Sequence, residues 1–227
     1  MPIFETQSLG KNYGGSVRAV TDVTLTIDRG TVLVVTGPSG SGKTTLLALL
    51  GALERPTSGR VAFDGTDLTH CSGAELARAR RRMGFVFQDF ALIPNLTALE
   101  NVTYPLIPRR VPAAERRRRA GELLSRFGLG GKLATRAGLL SGGEQQRVAI
   151  VRALAGCPDA LLADEPTSNL DAETADLFLA ALRDLQAAGK TAVVASHDPR
   201  VLEVATARHE LVAGRLTSPA ASPPTRS

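Results

Sequence analysis

The stretch Gly37-Pro38-Ser39-Gly40-Ser41-Gly42-Lys43-Thr44 constrains this chain more than any other, because it fits the phosphate-binding pattern G-x-x-x-x-G-K-[ST]. Before it runs Thr31-Val32-Leu33-Val34-Val35-Thr36, short, apolar and β-branched, the composition of a strand buried on both faces. After it, Thr45-Leu46-Leu47-Ala48-Leu49-Leu50 reads as a helix. Strand, glycine loop and helix in that order turn a string match into a candidate site. The glycines let backbone N–H groups close around phosphate oxygens. The helix N-terminus adds partial positive charge at the same place. Lys43 is expected to reach the β- and γ-phosphates, and the Thr44 hydroxyl to ligate Mg²⁺.

The chain has 227 residues, 43 % of them hydrophobic, enough for one or two domains with a sizeable core. No apolar run approaches the roughly 20 residues needed to cross a bilayer. Met1-Pro2-Ile3-Phe4-Glu5 lacks the basic-then-apolar pattern of a secretion signal. Cys71 and Cys157 have no metal-ligand spacing, so both are expected to be reduced thiols in a cytosolic setting. The net charge is +5, and arginine is concentrated at residues 78–82 and in Arg116-Arg117-Arg118-Arg119. Such runs could contact nucleic acid or anionic lipid. The second lies within 112–127, which has the pattern of an amphipathic helix, so a solvated helix face is the default there.

Along the chain, residues 3–35 read as strands. Val23, Leu25 and Ile27 alternate with Thr24, Thr26 and Asp28, which marks a half-buried strand. Tyr13 lies in the glycine-rich Lys11-Asn12-Tyr13-Gly14-Gly15. It could stack on a flat base, although spacing alone favours packing in the core or turn. Arg60-Val61-Ala62-Phe63 and the Asp64-Gly65 turn suggest a hairpin beside the first strands. Met83-Gly84-Phe85-Val86-Phe87 is another buried strand, ending at Gln88. From 97 to about 155 the pattern is mostly helical, with Pro105, Pro108 and Pro112 breaking its first part. Strands then return at Ala160-Leu161-Leu162-Ala163 and Thr191-Ala192-Val193-Val194-Ala195, with an amphipathic helix over 172–188 between them. Alternating strands and helices imply parallel pairing with right-handed crossovers. Residues 218–227, rich in Pro and Ser, are expected to be disordered.

The phosphate loop, Gln88, Asp164, Glu165 and His197 all follow predicted buried strands. Ligands of an open parallel sheet bind at the carboxyl ends of its strands, so these residues can converge. Asp164 suits a Mg²⁺ ligand, direct or through water. Glu165 could polarise an attacking water as general base. His197 could contact the γ-phosphate or hold that water, although alone it would read as a structural histidine. Leu140-Ser141-Gly142-Gly143-Glu144-Gln145-Gln146 opens another helix. Ser141 and Glu144 make a capping box, and the glycines leave N–H groups open to an outside anion.

These motifs together resemble the ATP-binding cassette (ABC) ATPases. Leu140 to Gln145 matches their LSGGEQ signature, the loop from Gly37 to Thr44 their Walker A motif, and Leu161 to Asp164 the end of their Walker B strand. The resemblance implies a P-loop NTPase fold: a RecA-like α/β core with a mostly parallel sheet, an antiparallel β subdomain and a helical insert. The cassette is expected over 1–217, with the helical subdomain at about 89–157. The resemblance further implies Glu165 as catalytic glutamate, His197 as switch histidine, Gln88 as Q-loop glutamine touching Mg²⁺ with Thr44 and Asp164, and Ser168 to Asp171 as D-loop. It makes Tyr13 the adenine-stacking aromatic, which reverses the reading from spacing. Gly37, Pro38, Ser39, Gly40, Ser41, Gly42, Lys43, Thr44 and Thr45 would hold ATP, and Ser141, Gly142, Gly143 and Gln145 would cap the ATP of a second copy in a head-to-tail dimer.

Within that family, the run from Phe87 to Val102 and the LLADEPTSNLD of 161–171 are similar to the lipoprotein-release, macrolide-export and cell-division branch. The implied partner is a separate membrane permease, with the cassette peripheral on the cytoplasmic face of the cell membrane and no nucleic acid expected. The rival readings are a soluble ABC ATPase acting on DNA or in translation, and a regulatory cassette. Intact Lys43, Asp164, Glu165 and His197 argue against the latter. Phe90, Leu92, Ile93, Leu96, Leu99 and Tyr104 cannot all share one helix face around Pro94. They are expected to leave an exposed apolar patch for the permease, with Leu92 or Leu96 in it. The alternative is that they form the core of the insert.

Overall fold

The computed structural model describes residues 1–15 and 17–217. The disorder expected of 218–227 lies outside the described residues. In chain order the strands are β1 (Pro2–Asn12), β2 (Arg18–Asp28), β3 (Val32–Thr36), β4 (Ser58–Phe63), β5 (Thr66–Asp67), β6 (Met83–Val86), β7 (Ala160–Asp164), β8 (Thr191–Ala195), β9 (Ala207–Val212) and β10 (Arg215–Thr217). The helices are α1 (Lys43–Leu50), α2 (Gly73–Arg80), α3 (Ala98–Thr103), α4 (Ala113–Arg126), α5 (Gly142–Leu154), α6 (Ala172–Ala187) and α7 (Pro199–Glu203).

Two sheets result. One is antiparallel, in the order β2-β1-β4-β5, and the other runs β10-β9-β3-β8-β7-β6. In the second, β9, β3, β8, β7 and β6 are mutually parallel and only β10 is antiparallel, closing a hairpin on β9. This is the P-loop NTPase architecture expected, with the antiparallel sheet as a separate layer.

Strand composition explains the layering. Every residue of β7 and β8 is buried, as a strand covered by layers on both faces must be. Alternate side chains serve opposite cores. Leu33, Val35, Leu162 and Val193 face a cluster shared with α1 and the antiparallel sheet, where Phe4 meets Phe63 at 5.1 Å between ring centroids. Val32, Val34, Leu161 and Val194 face a second cluster formed with α3, α4, α5 and α6. In β2, Val23, Leu25 and Ile27 are buried while Thr24, Thr26 and Asp28 are exposed, the alternation read from sequence. Gly189, with φ of 69°, ends the segment after α6 in the left-handed conformation.

The second arginine run lies on a solvated face of α4, as expected, and part of the first is used between elements. Arg118 pairs with Glu115 and Glu122 along α4, and Arg119 also pairs with Glu115. In the first run, Arg80 donates to Ala52 O at 2.7 Å. Arg82 bridges Asp64 (2.6 Å) and Asp159 (2.7 Å), and Asp159 is also held by Lys190 at 2.6 Å. These ion pairs join the antiparallel layer to the amino-terminal ends of β6, β7 and β8.

Candidate functional site

Register carries the candidate residues to one edge of the parallel sheet. Val35 pairs with Ala195, Ala195 with Asp164, and Ala163 with Val86. The residues that follow each strand therefore emerge side by side: the phosphate loop after β3, Gln88 after β6, Glu165 after β7 and His197 after β8.

The phosphate loop needs its glycines for space as well as for backbone freedom. A Cβ on Gly37 would lie 2.1 Å from Leu211 O, and one on Gly42 would lie 1.9 Å from Ala19 O. Both residues also have positive φ, 142° and 104°. Strands β2 and β9 thus press on the back of the loop, and Gly214 N donates to Ser41 O at 2.9 Å. This support from the β9–β10 hairpin is absent from the sequence reading. Its signal was the Ala213-Gly214 turn between Val212 and Arg215, where both turn residues have positive φ.

At the front of the loop, α1 begins at Lys43, after Gly42 at the N-cap position, with no side-chain cap and no acidic residue in its first turn. Its first amides are therefore available to an anion. Ser41 Oγ is buried with no hydrogen-bond partner among the described residues. Lys43 Nζ donates to Gly37 O (2.6 Å) and Pro38 O (3.2 Å), which holds the ammonium over the loop. Pro38, Ser39 and Gly40 are exposed, and Thr45 is half-buried in α1. An uncapped helix start, a spare hydroxyl and a tethered cation make a site that fits phosphate.

Thr44 Oγ1 donates to Asp164 Oδ2 at 2.5 Å, joining residues far apart in sequence. Gln88 is exposed beyond the end of β6. Hydroxyl, carboxylate and amide oxygens are the hard donors that Mg²⁺ prefers, and three protein oxygens leave room for phosphate and water. The donor set fits the ion.

Glu165 has φ of 45°, a left-handed conformation unusual for a side-chain-bearing residue. Its N–H donates to Ala195 O at 2.9 Å, and its carbonyl accepts from Ser168 Oγ at 3.0 Å. Its Oε1 lies 2.9 Å from His197 Nδ1; the carboxylate side chain is 15 % exposed and the imidazole 81 %. A largely buried carboxylate therefore meets a solvent-facing ring beside Asp164. Tyr13 is 54 % exposed, so of the core or turn packing that spacing favoured the core is excluded, and Lys11 Nζ sits 5.0 Å from its ring centroid.

The other glycine-rich stretch stands apart. Ser141 caps α5: its Oγ accepts from Glu144 N (3.3 Å), while its own N–H donates to Glu144 Oε2 (2.9 Å). That backbone donation, with help from Lys132, holds the Glu144 carboxyl below its usual range although burial opposes it. Ser141 and Gly142 are exposed. A Cβ on Gly143 would lie 3.0 Å from Asn169 O, so this helix start lies against the segment 168–171 of its own chain. Gln145 Nε2 is tied back to Leu140 O at 2.8 Å. Among the described residues, no hydrogen bond of Ser141, Gly142, Gly143 or Gln145 reaches the phosphate loop.

The segment after Gln88 departs from expectation. Leu92 and Leu99 pack against the second core and Leu96 is half-buried, so neither Leu92 nor Leu96 is an exposed anchor. Phe90 and Ala91 have φ of 64° and 45°. Arg152 of α5 holds both of their carbonyls, that of Phe90 at 2.7 Å. Burial pushes the Arg152 guanidinium down to about 10, against the pull of Asp89. The exposed apolar side chains are instead Ile93, Tyr104 and Ile107, with Tyr104 57 % exposed. Next to Tyr104 and Ile107, a groove of about 370 Å³ is lined by Leu53, Phe85, Phe87, Pro105 and Leu106 together with arginines such as Arg81.

Comparison with known proteins agrees with this geometry. The sequence profile described as "ABC transporter" matches residues 20–168. An uncharacterized ABC transporter ATP-binding protein of Thermotoga maritima is 48 % identical over 88 % of the chain and 86 % of its own length. The macrolide export ATP-binding/permease protein MacB 1/2 of Paracoccus denitrificans is 44 % identical over 98 % of the chain, which spans 35 % of that relative's length. Among solved structures, the ATP-binding cassette MJ0796, dimeric in a post-hydrolysis state bound to ADP and Pi, superposes with a TM-score of 0.90 at 40 % identity, covering 94 % of this chain and 96 % of its own.

Proposed function

The chain belongs to the ABC transporter family as an ATP-binding subunit that hydrolyses ATP, and from that premise we propose how its residues divide the work. The cassette is assigned to 1–217, with 89–157 as its helical subdomain. The loop amides, Ser41 and Lys43 bind the phosphates, and Tyr13 stacks on the adenine. Thr44, Asp164 and Gln88 would hold Mg²⁺, which would supply positive charge to offset that of the phosphates. Glu165 takes a proton from the attacking water, and His197 holds that carboxylate in place through their 2.9 Å contact.

One observation carries the assignment of a shared site. The phosphate loop, the Thr44–Asp164 pair and the Glu165–His197 pair lie on one sheet edge, while the capped start of α5 lies against 168–171 instead. A second copy, placed head to tail, supplies Ser141, Gly142, Gly143 and Gln145 to the γ-phosphate. For Gln145 this requires its side chain to leave Leu140 O. The dimeric state of the MJ0796 cassette supports this arrangement.

The partner is a membrane permease of the export, lipoprotein-release or force-transmitting type; the relation to MacB, a macrolide export ATP-binding/permease protein, supports the export reading. Among the described residues no helix is long and apolar enough to cross a membrane. We place the cassette peripherally, on the cytoplasmic face of the membrane, a reading supported by its membership of the ABC transporter family. The groove beside Tyr104 and Leu53 is the docking surface, in place of Leu92 and Leu96.

Mixing two inactive variants tests the shared site. Ser141→Arg and Lys43→Ala should each lack turnover, and their mixture should regain it, because one of its two composite sites has an intact loop and an intact helix start. No recovery, together with weakened ATP binding by isolated Ser141→Arg, would contradict the arrangement.

A further inference from the structure

Gln146 lies within α5 at a position that the helix buries completely, with 0 % of the residue exposed. Ala149 and Ile150, three and four residues on and so on the same face, are apolar and buried. Its side-chain Nε2 donates to the carbonyl of Pro166 at 2.9 Å. A carbonyl can only accept, so this contact fixes which end of the amide is which. Oε1 is then left buried with no partner among the described residues. An apolar side chain at this position would avoid that desolvation. The polar residue is therefore explained by the bond it makes rather than by packing.

Pro166 directly follows Glu165, the residue held at φ of 45°. The Glu165 N–H is anchored to β8 through Ala195 O, and its carbonyl is held by Ser168 within the same loop. The Gln146 bond adds a hold from outside the loop, one carbonyl further on, and it comes from α5. Five residues upstream on that helix is Ser141, about 7.5 Å away along the axis at the standard rise.

We propose that Gln146 is a positioning residue for hydrolysis: through Pro166 it sets the backbone of Glu165 and ties the placement of that carboxylate to the position of α5. The proposal rests on the reading of Glu165 as general base. It gives each copy a short mechanical route between what its helix start touches and the base that serves its own nucleotide. A displacement of α5 on contact with a second copy's nucleotide reaches Glu165 through one hydrogen bond.

The test uses the full chain with Gln146→Met, which keeps length and removes the donor, and Gln146→Glu, which keeps shape and an acceptor. Turnover should fall about 10-fold or more, the scale expected when a catalytic group is misplaced by an ångström or less. KM for ATP should stay within about twofold, because the phosphate contacts are untouched. In a Glu165→Gln background, Gln146→Met should leave the ATP-dependent dimer on size exclusion unchanged. Wild-type turnover in either Gln146 variant overturns the proposal. So does a loss accompanied by weaker ATP binding or a missing dimer, which would place the effect at the phosphate loop or the helix start. If neither variant yields a folded cassette, the bond is purely structural and the proposal fails. Normal turnover by Glu165→Gln alone overturns the reading of Glu165, and the proposal with it, before any Gln146 variant is made.

Discussion

The Thr44 hydroxyl donates to the Asp164 carboxylate at 2.5 Å, joining the end of the phosphate loop to the end of β7. Both oxygens belong to the set proposed to hold Mg²⁺. Asp164→Asn should leave nucleotide binding without Mg²⁺ unchanged. It should raise the Mg²⁺ needed for half-maximal turnover about 10-fold or more, the scale of a lost charge-assisted contact. An unchanged Mg²⁺ dependence would remove Asp164 from the ion's surroundings.

Two glycine substitutions should act in opposite directions. Gly42→Ala places a Cβ 1.9 Å from Ala19 O at a φ of 104°, so the loop must move or the strand behind it must yield. Loss of stability by about 2 kcal/mol or more is expected, with loss of ATP binding. Gly121→Ala in α4 meets nothing within 4 Å. It should stabilise by about 0.5–1 kcal/mol, because alanine is the better helix former. Thermal melts of the two variants measure both effects.

The phosphate loop, the buried strands and the capped α5 were legible because each depends on neighbours in the chain. Ser141 with Glu144, or Val32 to Val35 before Gly37, carry their meaning within a few residues. The capping box of Ser72 and Glu75 that opens α2 has the same kind of signal, yet it went unread in a stretch dominated by arginine. What sequence could not supply was contact at long range. Nothing in Leu211 or Ala19 announces that its carbonyl backs the phosphate loop. Nothing in Leu92 shows that it packs inward, because its burial depends on where Arg152 holds the carbonyls of Phe90 and Ala91. Gln146 read only as the tail of a motif until its bond to Pro166 was seen.

Acid should loosen the seam between the two sheets. The hydrogen bond from Arg82 holds the Asp64 carboxyl below its usual value. For Asp159, burial pushes upward, but the bonds from Lys190 and Arg82 outweigh it and the net shift is also downward. A lowered carboxyl contributes stability above its ordinary value and loses it as pH falls through the lowered one. Melting temperature should therefore drop as pH falls below about 4, and Asp159→Asn should flatten that acid limb. An identical acid limb in the variant would show that the pair contributes nothing there.

Tyr104→Asp should block assembly with the membrane partner while the cassette keeps its own ATPase activity, since Tyr104 is exposed and lies beside the groove. Co-purification with the candidate permease in detergent is the measurement. A folded Tyr104→Asp cassette that still co-purifies would remove this surface from the interface.

Glu165→Gln is the most direct test of the proposed chemistry, because it keeps the side chain's shape beside His197 and removes only its basicity. Single-turnover hydrolysis of ATP, followed together with size exclusion in the presence of ATP, reads both halves of the claim. The expected result is a loss of hydrolysis by about 100-fold or more, as for removal of a general base, with a dimer that persists while ATP is present. Wild-type hydrolysis, or ATP bound tightly by a chain that stays monomeric, would contradict it.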